Sequence, residues 1–292
     1  MSLFSKLKQL YVKAFVGGQW QVVYRKRSDK TAIFKIVAPP EGIWIADPFV
    51  YEANGEHYLF VELFEKAKNK AGIGYYRFID GKPVYQGKII EQPYHMSYPC
   101  VFESEGEQYM IPETSAGGRV DLYKAVHFPD HWEFDTNLLT DVKYVDTTVV
   151  NIDGRFYAFT YGKEGAEWQL KLFALDMQQK KLEAIAEKPY LTNIGRPAGY
   201  FSYDGALRRP AQDCSRKYGE ALLIYQIDTM ERNGLEEHIV DTIHTNNIPL
   251  AKPADRIHTY TCDDTYEVVD VYYEKIDLLH GFMTFRRVVL KK

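Results

Sequence analysis

Three stretches of seventeen residues share one pattern without a gap: Ala46 to Glu62 reads ADPFVYEANGEHYLFVE, Ser97 to Glu113 reads SYPCVFESEGEQYMIPE, and Val145 to Tyr161 reads VDTTVVNIDGRFYAFTY. Each carries Gly at its tenth place (Gly55, Gly106, Gly154) and Tyr at its thirteenth (Tyr58, Tyr109, Tyr157). An apolar, β-branched run enters Asn-Gly, Glu-Gly or Asp-Gly, and an aromatic-rich run leaves it. That is β-hairpin chemistry, with Gly supplying the positive φ of a tight turn.

Two fainter copies follow: Arg208 to Gln226, which keeps a Pro after the key residue and a Gly at the turn, and Ile257 to Glu274, which keeps only the strand-turn-strand outline. With Asp47, Tyr98, Asp146, Arg209 and His258 as equivalent points, the spacing is about fifty residues, with one step of about sixty. Strand-filled units of that length predict an all-β fold, a five-bladed β-propeller of four-stranded antiparallel blades.

The 292 residues suit one such ring, with residues 1–19 as an N-terminal segment and 20–292 as a single propeller domain. A net charge of -4 supplies no basic field for nucleic acid, so none is expected as a partner. Tyr (23) and Phe (16) are abundant; they suit strands, and a minority are available to stack on a ligand such as a sugar. Cys100, Cys214 and Cys262 have no metal-ligand spacing and read as unpaired thiols of a reducing compartment. Lys6, Lys8 and Lys13 interrupt the first apolar residues, so no signal peptide is expected and the chain is placed in the cytoplasm.

Ser2 to Phe15 has the spacing of a short amphipathic helix that packs on the ring or, as the second option, touches an anionic membrane surface weakly. Trp20 to Lys26 reads as a strand that closes the ring on the last blade, and Gly281 to Val289 as a strand of blade five. Thr192 to Leu207, rich in Gly and aromatics, reads as an insertion before blade four that covers a site.

In a propeller the inner strands start around one mouth, so the first residue of every repeat faces a shared pocket. Here these are Asp47, Tyr98, Asp146, Arg209 and His258, polar in all five copies. A single such residue serves as well to satisfy backbone groups near the axis; the set of five favours a ligand pocket. No zinc, nucleophile-elbow or other cofactor pattern stands out, and no metal or cofactor is expected.

The ADPF start and the five repeats resemble the furanosidase-type glycoside hydrolases, the clan of the family 43 arabinanases and xylosidases and of the invertases. That resemblance implies an Asp in the first blade as base or nucleophile, matched by Asp47, a second Asp that tunes its partner, matched by Asp146, and a Glu as acid. Glu113 in PETS is the substitute for the acid, and Glu62 holds the equivalent place in blade one. SYPCVFE, IPETS, VDTTVV and RRPAQDCSRKYG resemble more closely the N-terminal propeller domain of plant glucosamine inositolphosphorylceramide transferases and bacterial relatives, in which sugar transfer resides in a separate domain.

The residues leave two readings. One is a glycoside hydrolase-like or sugar-transferring enzyme of cytoplasmic glycan assembly, with Asp47, Asp146 and Glu113 as catalytic groups. The other is a propeller that binds glycans or nucleotide sugars, or acts as a scaffold in polysaccharide biosynthesis. In both, Tyr98, Arg196, Arg209, His258 and Glu62 are expected to bind the ligand. Arg196, Arg208, Arg209 and His258 further suggest a sugar phosphate or an acidic sugar alongside a neutral carbohydrate.

Overall fold

Each blade is an antiparallel sheet, and in the first three blades the innermost strand is buried over most of its length, on both faces, because it lies between its own hairpin and its neighbours around the axis. The computed structural model describes residues 16–164, 167–189, 194–231 and 234–276. The chain begins with β1 (Val16–Lys26) and β2 (Lys35–Ile36), which belong to the last blade. Blade one is β3 (Ile43–Ala53), β4 (Glu56–Glu65), β5 (Lys70–Ile79) and β6 (Lys82–Ile90). Blade two is β7 (Ser97–Ser104), β8 (Glu107–Thr114), β9 (Arg119–His127) and β10 (His131–Thr140). Blade three is β11 (Tyr144–Ile152), β12 (Arg155–Glu164), β13 (Glu167–Asp176) and β14 (Lys181–Pro189). Blade four contains β15 (Ile194–Pro197), β16 (Ser202–Tyr203), β17 (Leu207–Asp213), β18 (Ala221–Glu231) and β19 (Gly234–Ile243), and β20 (Arg256–Cys262) with β21 (Tyr266–Ile276) begins blade five.

The five-bladed, antiparallel arrangement is the one the repeats predict. Blade five is completed from the other end of the chain, for β1 pairs antiparallel with β21 from Val16 opposite Ile276 to Lys26 opposite Tyr266. This is the ring closure expected of Trp20 to Lys26, and it leaves β21 paired on both sides. The helix expected over Ser2 to Phe15 and the strand expected over Gly281 to Val289 lie outside the described residues.

Blade four departs from the expected register. Its innermost strand is β15, inside the segment read from sequence as an insertion, and Arg196 on β15 stands opposite Gln212. The Arg208 to Gln226 stretch instead supplies the second and third strands, β17 and β18. Arg209 therefore does not start an inner strand. It is 1% exposed, its guanidinium donates to Glu237 on β19 at 2.6 and 2.7 Å, and it lies 4.6 Å from the centre of the Tyr225 ring.

The core is the set of seams between blades. Phe60, Tyr75, Met110 and Leu122 belong to a large cluster across blades one to three, whereas Val22, Ile45, Val61 and Val268 join blades five and one. Inner strands are also stitched by polar contacts. The Tyr98 hydroxyl lies 2.7 Å from Thr148 Oγ1 and accepts the Gly199 N–H at 2.6 Å, and Thr261 Oγ1 donates to the Pro48 carbonyl at 2.9 Å. Gly199 has φ +128, and a Cβ there would lie 1.9 Å from the Tyr260 carbonyl oxygen. Gly55 also has positive φ, but a Cβ there meets nothing within 4 Å.

Gly199→Ala should therefore cost about 3 kcal/mol or more through overlap plus backbone strain, and Gly55→Ala about 1–2 kcal/mol through strain alone. Urea denaturation of the two variants checks this, and equal losses would contradict it.

Candidate functional site

The geometry of the mouth begins with a backbone irregularity repeated at the start of the inner strands. In blade one the pairing passes from Ala46–Glu62 to Phe49–Phe60, so Asp47 and Pro48 face Val61 alone. The same two-against-one step occurs at Tyr98 and Pro99, at Asp146 and Thr147, and at His258 and Thr259. Asp47, Tyr98 and Asp146 take φ of 46, 48 and 54. A bulge with a left-handed, non-glycine residue turns a side chain out of the sheet's alternation, and such strain persists where surrounding contacts hold it.

At Asp47 those contacts come from blade five. Asp270, fully buried on β21, accepts the backbone N–H of Asp47 at 2.9 Å, of His258 at 3.3 Å and of Thr259 at 2.8 Å. Its carboxylate oxygens also lie 2.7 Å from His258 Nδ1. This fixes the imidazole so that Nε2 points toward Asp47 Oδ1, 3.6 Å away, while Thr259 Oγ1 donates to that oxygen at 2.8 Å. Trp20 from the closing strand stacks on the His258 ring at 3.8 Å and 8°, and Tyr218 meets it edge-on at 5.3 Å.

Asp146 is held differently. The Arg196 guanidinium grips it through Nε and, at 3.0 Å, through a terminal nitrogen, and Gln212 Nε2 donates to it at 2.9 Å. Arg196 also lies 3.7 Å from Glu113, whose other oxygen accepts the Ser115 hydroxyl at 2.7 Å. Glu62 stands opposite Ala46 as Glu113 stands opposite Ser97, so the two are repeat equivalents. His95 Nε2 lies 3.3 Å from Glu62.

The mouth thus gathers Asp47, Glu62, Glu113, Asp146, Arg196 and His258 from the sequence-derived set. Arg209 is in the blade-four sheet, as described above, and Tyr98 is fully buried, with its hydroxyl used within the ring. Five further residues, Trp20, His95, Gln212, Tyr218 and Asp270, carry no repeat signature. For Asp270 a signal existed, since it is the one charged side chain inside the β-branched run VVDVYY.

Crowding carboxyl groups in a dry place raises their affinity for protons. Burial pushes Asp47 up to about 6, helped by Asp146 and Asp270 and opposed by His258. Burial and the neighbouring Asp146 push Glu113 up to about 8, against the pull of Arg196. Glu62 is raised well above the usual carboxyl range by burial and then by Asp47 and Glu113. For His258 burial disfavours the charge, but Asp270 and Asp47 outweigh it and the imidazole is raised.

Asp47, His258 and Asp270 bring potential metal-ligand atoms within 4.8 Å of one another. The Asp270 oxygens, however, already accept three backbone N–H groups and face an imidazole, which is the donor pattern of a structural clamp. Beside the carboxyl groups Tyr161, Trp168, Arg196, Cys214 and Tyr218 line a cavity of about 230 Å³, with the Tyr161 and Trp168 rings stacked at 5.4 Å and 6°. A larger groove of about 1220 Å³, lined by Glu103, Asn151, Arg155 and Met177 among others, is separate from this mouth.

A five-bladed ring of four-stranded antiparallel sheets, with carboxyl groups converging at its mouth, defines the class: a five-bladed β-propeller. Its fold matches a family 117 glycoside hydrolase from Zobellia galactanivorans, TM-score 0.55 at 12% identity over 91% of this chain and 92% of that one. It also matches an α-L-arabinofuranosidase from Podospora anserina, TM-score 0.56 at 13% identity over 80% and 92%. The family is narrower: residues 35–249 match the model described as glucosamine inositolphosphorylceramide transferase 1, N-terminal, and the chain belongs to that family. The glucosamine inositolphosphorylceramide transferase 1 of Arabidopsis thaliana is 30% identical over 66% of this chain and 27% of its own length. That of Oryza sativa subsp. japonica is 27% identical over 70% of this chain and 29% of its own. The chain therefore spans under a third of the length of these relatives, and it is a carbohydrate-related propeller.

Folded Glu113 holds its proton more tightly than the ordinary carboxyl value of 4.5 allows. Its favourable contribution to stability is complete below that value and is lost as pH rises through about 8. Glu113→Gln should consequently melt above the wild type at pH 9, by about 2–4 °C for each kcal/mol recovered, with the gain shrinking toward pH 5. Scanning calorimetry at the two pH values checks this, and a pH-independent difference would count against it.

Proposed function

We propose that this propeller cleaves or transfers a neutral sugar unit, with Asp47 as base or nucleophile and Glu113 as acid. The observation that carries the reading is the split between these two carboxyl groups at one mouth, one pushed up to about 6 and the other to about 8. At pH 7 Asp47 is then mostly ionised and Glu113 mostly protonated, which is the division of labour that acid–base chemistry on a glycosidic bond requires. Glu113 gives its proton to the leaving oxygen. Asp47 takes one from the attacking water or hydroxyl, or attacks the sugar itself.

Asp146 serves as the tuning charge. It is a leading contributor to the raised values of both Asp47 and Glu113, and Arg196 with Gln212 keeps it in place. This agrees with the role that the resemblance to the furanosidases implies for a second Asp.

The ligand we propose is neutral rather than a sugar phosphate. Arg196 is matched by Asp146 and Glu113, and His258 by Asp270 and Asp47. Both cations of the mouth are thereby already paired with carboxylates, so an arriving phosphate finds neither of them open to grip it. The unpaired Cys100, Cys214 and Cys262 support a place for this chemistry in glycan assembly in the cytoplasm. The second reading, a propeller that only recognises its glycan, is favoured by one feature: Asp47 Oδ1 is already engaged by Thr259.

Nitrophenyl furanosides and pyranosides, offered to the wild type, Asp47→Asn and Glu113→Gln, separate the readings. The expected rate profile is a bell with limbs near 6 and 8, and each substitution lowers kcat by about 10²–10⁴ while the fold survives. No turnover above the Asp47→Asn background, with sugar binding retained, would overturn catalysis and leave the recognition reading.

A further inference from the structure

Strand alternation places a second set of side chains at this mouth, and the chemistry above leaves it unused. β3 begins and β4 ends at the rim, where Trp44 stands opposite Phe64. Their neighbours Ile43, Ile45 and Leu63 point the other way, into the seam with blade five. Trp44 and Phe64 are half-buried and belong to none of the apolar clusters among the described residues. Their rings nevertheless lie stacked, 4.4 Å apart at 15°.

Inward of this pair lies an imidazole, tilted at 56° to the Phe64 ring. The His95 ring is 6.2 Å from Phe64, and His95 Nε2 lies 3.3 Å from Glu62, which is 5% exposed and shares the face of β4 that carries Phe64. A row therefore runs from a flat aromatic surface at the rim, through a half-exposed imidazole, to a buried carboxyl group of the mouth. A pyranose or furanose ring presents this combination in reverse, with an apolar C–H face for the aromatic plane and hydroxyls at the edge for polar groups.

We propose that Trp44 and Phe64 form a stacking platform for a second sugar ring, whose hydroxyls are held by His95 and Glu62, so that the ligand is at least a disaccharide. This rests on the reading of the mouth as a sugar site. The aromatic cavity formed by Tyr161, Trp168 and Tyr218 beside Arg196 is a separate surface, lined from blades three and four. The two surfaces leave the carboxyl groups to act on the linkage between sugar units.

Calorimetric titration with arabinose and arabinobiose, xylose and xylobiose, and glucose and cellobiose tests the idea on the wild type, Trp44→Ala, Trp44→Phe and Phe64→Leu. In at least one series the wild type should bind the disaccharide about tenfold tighter than its monosaccharide, as one aromatic stack allows. Trp44→Ala should abolish that gain and keep the monosaccharide Kd, whereas Trp44→Phe keeps most of the gain. Should Trp44→Ala not fold, Phe64→Leu carries the same comparison. Monosaccharide binding without a chain-length gain, or an equal loss for both ligands in Trp44→Ala, overturns the platform and leaves a sugar at the mouth. Failure of the wild type to bind any of the six overturns both readings.

Discussion

The buried carboxylate of Asp270 is the contact on which the mouth depends. It gathers backbone N–H groups from Asp47 in blade one and from His258 and Thr259 in blade five, together with the His258 ring. Hydrogen bonds to a charged acceptor are roughly twice as strong as neutral ones, and this acceptor sits where water does not compete. It thereby holds the left-handed Asp47 and joins the first blade to the last. The same blade contains β1, so ring closure and placement of Asp47 are one structural event. Trp20 of β1 then covers the imidazole that faces Asp47.

A cluster of buried acids is costly, and the fold compensates unequally. Asp146 receives a guanidinium and an amide, and Asp47 receives a hydroxyl and a nearby imidazole. Glu62 has the His95 ring beside it. Unequal compensation is what separates the proton affinities of groups that repeat symmetry would otherwise make alike. Glu62 and Glu113 occupy the same place in successive blades, yet Glu113 meets Arg196 from blade four and Glu62 does not feel it as a leading influence. Function therefore follows from where the repeats stop being identical.

The regular parts of the ring were legible in the sequence because glycine turns and aromatic returns recur at fixed spacing. Asp47, Tyr98, Asp146 and His258 fall at inner-strand starts as that spacing predicts. Blade four was misleading for a physical reason. Its inner strand is four residues long, interrupted by a bulge after Ile194 and followed by Gly199 at φ +128, so IGRP lacks the length and alternation of a strand. RRPAQD, by contrast, has a Pro after a polar residue and looks like a blade start, although Arg209 is committed to Glu237. Asp270, Gln212 and Tyr218 act at the mouth through contacts far apart in sequence, which no local pattern encodes.

Carbon-13 NMR of the Asp and Glu side-chain carboxyl groups, followed across pH in the wild type with Asp47 and Glu113 assigned by substitution, tests the central claim most directly. The structure predicts a midpoint near 6 for Asp47 and near 8 for Glu113, two separate steps at one mouth. Midpoints for both groups in the ordinary carboxyl range near 4 would contradict it.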